Sequence, residues 1–218
     1  MPGKVKTPTA QPRSLNRISL AQGARQLASM DTELGAILSR LGEPPMWGRQ
    51  PGFASLIKII LEQQVSLEAA RTLYRRIHRQ LGTMTPDTVY AQQVSGLRQL
   101  GLTRQKAAYC HGLAERILDG RLDLSGIARG ADDLGRKALL EVPGLGPWSV
   151  DIYYLMALRR PDVWPRGDLA LAAAMHEVKG LKALPSRDEQ ERIACDWAPY
   201  RSIAARLLWM HYLDARGR

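Results

Sequence analysis

The stretch Leu139-Leu140-Glu141-Val142-Pro143-Gly144-Leu145-Gly146-Pro147-Trp148-Ser149 decides how this chain folds. An apolar run ends at Val142, two glycines surround a leucine, and Pro147 opens a second periodic segment. The spacing predicts helices over 132–142 and 147–159, joined by Pro143-Gly144-Leu145-Gly146. Glycines let a chain turn sharply and bring backbone amides close to a ligand. Amides at a helix start favour an anion through both hydrogen bonds and the dipole. Gly144, Leu145 and Gly146 are therefore expected to grip a phosphate, with Ser149 adding a hydroxyl. The competing reading is an ordinary helix hairpin whose glycines only turn the chain.

Outward from this stretch, apolar residues recur at helical spacing almost everywhere. Asp31 caps a helix reaching Leu41, and 42–52, with Pro44, Pro45 and Pro51, reads as a linker. Two helices fill 53–81 and meet near Gln63–Ser66. Thr85-Pro86 starts another, 97–100 is a short one ended by Gly101, and Thr103 caps a run to about Leu118. Residues 122–130 read as a loop. Helices follow over 169–178, after the Ser186/Glu189 capping box, and over 200–213. The fold class is all-α.

Composition bounds what such a chain can do. Its 218 residues suit one domain or two small ones, and 45% hydrophobic with 24% charged residues is the balance of a soluble globule. No stretch approaches the roughly 18 apolar residues of a membrane span. Residues 1–17, with Lys4, Lys6, Arg13 and Arg17, read as a basic flexible tail without the apolar core of a secretory signal. Cys110 and Cys195 are too few for a disulfide framework or an iron–sulfur cluster. Lysine and arginine total 31 against 21 acids, a net charge of +10. That surplus favours an anionic polymer, nucleic acid before a membrane surface.

The eleven-residue stretch resembles the helix–hairpin–helix of the HhH-GPD superfamily of base-excision DNA glycosylases. Trp164-Pro165-Arg166-Gly167-Asp168 stands where that superfamily has its Gly/Pro-rich loop and essential aspartate. Similarity continues through Phe53 to Ala70, Gly101-Leu102-Thr103 with Lys106-Ala107, and Trp197-Ala198-Pro199-Tyr200-Arg201. This last segment resembles the Trp-x-Pro-x-Arg signature of the 3-methyladenine DNA glycosylase II branch, here in a compact form without an N-terminal sheet domain. The resemblance implies a two-lobed helical fold with its active-site cleft between lobes, one lobe over 53–160 and the other from 18–52 with 161–218.

Asp168 stands immediately before a periodic segment, so it also reads as an N-cap, and the two readings are compatible. The resemblance implies that its carboxylate stabilises positive charge on the deoxyribose as the N-glycosidic bond breaks, and orients or deprotonates the attacking water. No general acid accompanies it. An alkylated purine such as 3-methyladenine or 7-methylguanine already carries positive charge, so electrostatics and positioning can supply much of the catalysis. Superfamily members that also cut the strand carry a lysine where this chain has Trp148, which implies a monofunctional enzyme.

By the same resemblance Trp148, Tyr200 and Gln63 line the base pocket, and Gln64 is the wedge that enters the gap left by the flipped base. Each has a plainer reading: core anchor for Trp148, packing for Tyr200, solvated cap residues for the two glutamines. Leu169, Ile152 and Val150 depart from residue types common in relatives and point to a wider or less stacking pocket. Carbonyls of Leu140, Val142 and Leu145 are candidates for a structural monovalent cation, and no cofactor is expected. His78, His111, His176 and His211 show no metal-ligand spacing. The expected partner is double-stranded DNA with alkylated bases, bound by a monomer in the cytoplasm, at the nucleoid, or in a nucleus. Two alternatives stay open: a mismatch or oxidised- or deaminated-base glycosylase on the same scaffold, and a non-catalytic damage-binding module.

Overall fold

The computed structural model describes residues 14–217, which form α-helices, one π-helical turn and no strand. In chain order the helices are α1 Arg17–Met30, α2 Thr32–Leu41, α3 Phe53–Glu62, α4 Leu67–Leu81, α5 Pro86–Ala91, α6 Gln93–Gln99 and α7 Arg104–Leu118. They continue as α8 Leu124–Arg129, α9 Asp132–Leu140, α10 Pro147–Ile152, α11 Leu169–Val178, α12 Arg187–Cys195 and α13 Arg201–Asp214. The π-helical turn, Tyr153–Ala157, prolongs α10.

Two compact units divide the chain: Met1–Met46 with Arg159–Arg218, and Trp47–Leu158. The sequence boundaries at 52/53 and 160/161 shift because of local bonds. The Arg49 amide donates to the Met156 carbonyl at 2.9 Å, and its guanidinium pairs with Glu62 at 2.8 Å, so the end of the linker belongs to the second unit. The Arg159 carbonyl accepts the Leu15 amide at 2.7 Å, and Arg160 reaches the Ser14 hydroxyl, so those two residues belong to the first.

Each unit is organised around one largely buried helix. In the first unit that helix is α13, buried from Ser202 to Leu208 and packed on α1, α2 and α11. In the second it is α3, which buries Leu56, Ile57, Ile59, Ile60 and Leu61 against α4, α7 and α10.

Three sequence expectations are corrected. The basic tail ends earlier: Leu15 is buried, and Asn16 closes a capping box with Ser19 at the start of α1. Positions 1–13 of that tail lie outside the described residues. The expected loop over 122–130 contains α8, capped by the Asp123 carboxylate, which accepts the Ser125 amide at 2.9 Å. The expected single helix over 147–159 widens at Tyr153, where the Leu158 amide bonds back to the Tyr153 carbonyl. That turn buries both tyrosines, with the Tyr153 hydroxyl accepting from the Gly52 amide and the Tyr154 hydroxyl donating to the Asp132 carbonyl.

Candidate active site

In the second unit the hairpin between α9 and α10 is held from inside. Leu145 is 3% exposed, and its amide donates to the Val142 carbonyl at 3.0 Å, closing the turn. Gly144 lies at φ +92, and a Cβ there would stand 2.4 Å from the Tyr109 ring. Only glycine satisfies both the left-handed backbone and that contact. Gly146 differs: its φ is −81, and a Cβ would meet nothing within 4 Å. Gly144 thus shapes the turn, whereas Gly146 keeps its outer surface bare.

Two expected phosphate contacts change here. Ser149 is only 2% exposed, and its Oγ accepts the Gln63 side-chain amide at 2.9 Å, so this hydroxyl serves the interior. The Leu145 amide is consumed by the turn itself. The Val142 carbonyl, one of the three expected around a cation, already accepts that amide; a carbonyl oxygen keeps a second lone pair for a further ligand.

Gln63 does structural work beyond any pocket role. Its amide donates to the Gly144 carbonyl at 2.7 Å as well as to Ser149, tying the end of α3 to the hairpin. Lys106 completes the arrangement. Its ammonium donates to the carbonyls of Leu61 and Gln63 at 2.7 and 2.8 Å, a cation on the carbonyl end of a helix. Burial lowers its pKa. The next residue, Gln64, is exposed and held at φ +57, a conformation uncommon outside glycine. Strain of this kind gathers at functional positions. Trp148, second residue of α10, is half-buried. Val150 and Ile152 are buried.

In the first unit, Pro165-Arg166-Gly167-Asp168 forms a tight turn closed by the Asp168 amide on the Pro165 carbonyl at 3.3 Å. Gly167, at φ +73, occupies the third position, where a type II turn requires glycine. The turn delivers Asp168 to the start of α11 as its N-cap. Its Oδ1 accepts the Leu171 amide at 3.0 Å and the Trp209 indole N–H at 3.3 Å. Two donors from different helices therefore fix one half-buried carboxylate. Leu169, beside it, is 78% exposed.

Tyr200 is half-buried at the start of α13, its ring against Gly23 of α1, where a Cβ would lie 3.0 Å away. Upstream, the Trp197 indole donates to Asp31 at 2.6 Å, and Lys179 reaches the same oxygen. Burial opposes ionisation of Asp31, but bonds from Lys179, the Leu34 amide and Trp197 together hold its carboxyl below the usual range. The Arg201 guanidinium pairs with Asp162 through two bonds of 2.7 Å. The Trp-x-Pro-x-Arg segment is thus anchored at both ends, with Tyr200 between.

Sequence reasoning missed Trp209 and the capping role of Lys106. Trp209 lies 41 residues from Asp168, outside every recognised motif, and nothing local signals their contact. Neither cysteine is disulfide-bonded, and burial pushes the Cys110 thiol up to about 12, which leaves no nucleophilic thiolate there.

A family model described as HhH-GPD superfamily base excision DNA repair protein matches residues 57–199. The putative DNA-3-methyladenine glycosylase YfjP of Bacillus subtilis is 29% identical over 186 residues, covering 82% of this chain and 65% of that protein. The chain thus spans a little under two thirds of that relative's length. Among solved structures, a DNA-3-methyladenine glycosidase from Bacillus halodurans superposes with a TM-score of 0.76 at 25% identity, covering 90% of this chain and 91% of that one. The 3-methyladenine DNA glycosylase Mag1 of Schizosaccharomyces pombe, in complex with abasic DNA, has a TM-score of 0.80 at 22% identity, covering 86% and 95%. This last likeness is one of fold.

Proposed function

Because the chain belongs to the HhH-GPD superfamily of base excision DNA repair proteins, we propose that it is a monofunctional DNA glycosylase acting on alkylated purines. The observation that carries the reading is Asp168, a half-buried carboxylate fixed by two N–H donors at the end of a glycine turn. As the bond between deoxyribose C1′ and the purine nitrogen breaks, its electron pair leaves with the base and positive charge develops on the sugar. The Asp168 carboxylate stabilises that charge and orients a water, whose oxygen bonds to C1′ as its proton passes to that carboxylate. A purine methylated at N3 or N7 is cationic and leaves neutral, so no protonating acid is required. The products are a free base and an abasic site in an unbroken strand.

Trp148 and Tyr200 offer π faces to a cationic base, an attraction of about 0.5–2 kcal/mol. Gln64, exposed on its strained turn, is the wedge, and Gln63 supports that turn from the hairpin. The bare surface at Gly146 receives a DNA phosphate, and a monovalent cation on the carbonyls of Leu140, Val142 and Leu145 would steady the hairpin. The protein works as a monomer on double-stranded DNA, in the cytoplasm, at the nucleoid or in a nucleus. No helix among the described residues is long and apolar enough to cross a membrane.

Trp209 is a positioning residue for Asp168. Trp209→Phe removes the indole donor and keeps an aromatic ring. A hydrogen bond to a charged group is worth about 1.5–3 kcal/mol, so single-turnover base release should fall on the order of tenfold. Affinity for an abasic duplex should stay within twofold. A matching loss of affinity would mark Trp209 as packing alone.

The direct experiment incubates the protein with methylated duplex, identifies the released bases and examines the strand before alkali. Release of 3-methyladenine or 7-methylguanine from an intact strand is the expected result. A covalent protein–DNA adduct trapped by borohydride would contradict the monofunctional reading.

A further inference from the structure

Helix α4 follows the Gln64 turn and is the most exposed long helix of the second unit. Of its fifteen residues only Ala70 and Ile77 are buried. Arg71, Arg75, Arg76 and Arg79 are all exposed, and Glu68 is the one acid on the helix. At 100° per residue, Arg75 and Arg79 lie opposite Ile77, with Arg71 and Arg76 flanking them. The four therefore share the solvent face. None pairs with a carboxylate among the described residues, although Arg40, Arg49, Arg121, Arg136, Arg201 and Arg216 each do. Among the described residues, the one hydrogen bond made by their side chains runs from Arg75 Nε to the Arg71 carbonyl at 3.4 Å.

Like charges four residues apart on a helix repel one another, and Arg71, Arg75 and Arg79 form two such pairs in succession. Only Arg79, in the last turn of α4, stands where a cation favours the helix. A groove of about 510 Å³ opens along the same helix, lined by Ser66, Glu68, Thr72, Arg76 and Gly101. Gly101 lets the Arg76 guanidinium lie within 2.9 Å of where its Cβ would be. Guanidinium groups suit phosphate oxygens through paired N–H donors.

We propose that the exposed face of α4 is a second binding track for the DNA phosphate backbone, separate from the hairpin, with Arg75 and Arg79 at its centre. The choice of DNA as the occupant rests on the function proposed above. The track carries no sequence information; it adds non-specific affinity and holds the duplex while Gln64 probes it.

The test measures affinity for undamaged duplex from 50 to 200 mM salt, with the full chain and Arg75→Gln/Arg79→Gln. Each phosphate contact contributes about 0.9 to the slope of log affinity against log salt. The variant's slope should be shallower by about 2, so its affinity falls roughly tenfold less than wild type across that range. Its thermal midpoint should change little, because the relieved repulsion offsets the loss of the Arg79 cation from the last turn of α4. Arg75→Lys/Arg79→Lys should restore the slope, since the charge returns. An unchanged slope in the folded glutamine variant overturns the proposal, as does a lysine variant that fails to restore it. Weakened binding to phosphatidylserine vesicles with an unchanged DNA slope would also overturn it, assigning the face to a membrane surface. Base release by wild type is scored separately: release with an unchanged slope leaves the glycosylase reading standing, and a changed slope without release leaves only the track.

Discussion

Asp168→Asn should release methylated purines at least about 10²-fold more slowly than wild type, the scale of losing a key electrostatic group. The substitution is a narrow one. Asparagine keeps the size of the side chain and is as good an N-cap as aspartate, so its Oδ1 can still accept the Leu171 amide and the Trp209 indole. Only the charge disappears. Thermal stability and affinity for an abasic duplex should therefore stay close to wild type, while the single-turnover rate collapses. Release at a near-normal rate would reduce Asp168 to a cap.

The two hairpin glycines should fail in opposite ways. Gly144→Ala places a methyl 2.4 Å from the Tyr109 ring in a backbone at φ +92. Overpacking and left-handed strain together should destabilise the fold by about 3 kcal/mol, read by denaturant unfolding. Gly146→Ala meets open space at an ordinary backbone angle, so stability should change by no more than about 0.5 kcal/mol. Its methyl instead occupies the surface offered to phosphate. Binding to undamaged and abasic duplexes should weaken alike, on the order of tenfold for a lost charge-assisted contact. A Gly146→Ala protein that binds both duplexes normally would make the hairpin only a turn.

What the sequence made legible was local. Asp31, Thr103 and Ser186 each cap a helix through a bond to an amide three residues on, and such bonds leave a readable pattern. The hairpin was legible because glycine and proline mark backbone geometry directly, whereas the Gly167–Asp168 turn was found through its resemblance to the superfamily's Gly/Pro-rich loop. α8 escaped because it is six residues long and buries a single apolar side chain, Ile127, which gives no periodicity to read. The start of α6 at Gln93 was hidden likewise, with Leu97 alone buried.

Around the site, residue types were easier to read than their directions. Ser149 looked like a phosphate ligand because it follows the turn, but Gln63, 86 residues away, claims its hydroxyl inside the unit. Lys106 and Trp209 act through contacts 43 and 41 residues distant in the chain, and no local pattern encodes those meetings. Charge on α4 contributed to the overall surplus of the sequence, but its lack of carboxylate partners is a property of the fold.

The central claim is that Asp168 serves a base that brings its own positive charge. A neutral purine leaves poorly without protonation, and protonation needs a positioned acid tuned near the working pH. The decisive measurement compares single-turnover release of 7-methylguanine and hypoxanthine from otherwise identical duplexes by the wild-type protein. Faster release of 7-methylguanine, with the strand intact before alkali, is the expected result. Faster release of hypoxanthine would contradict the cationic-substrate account.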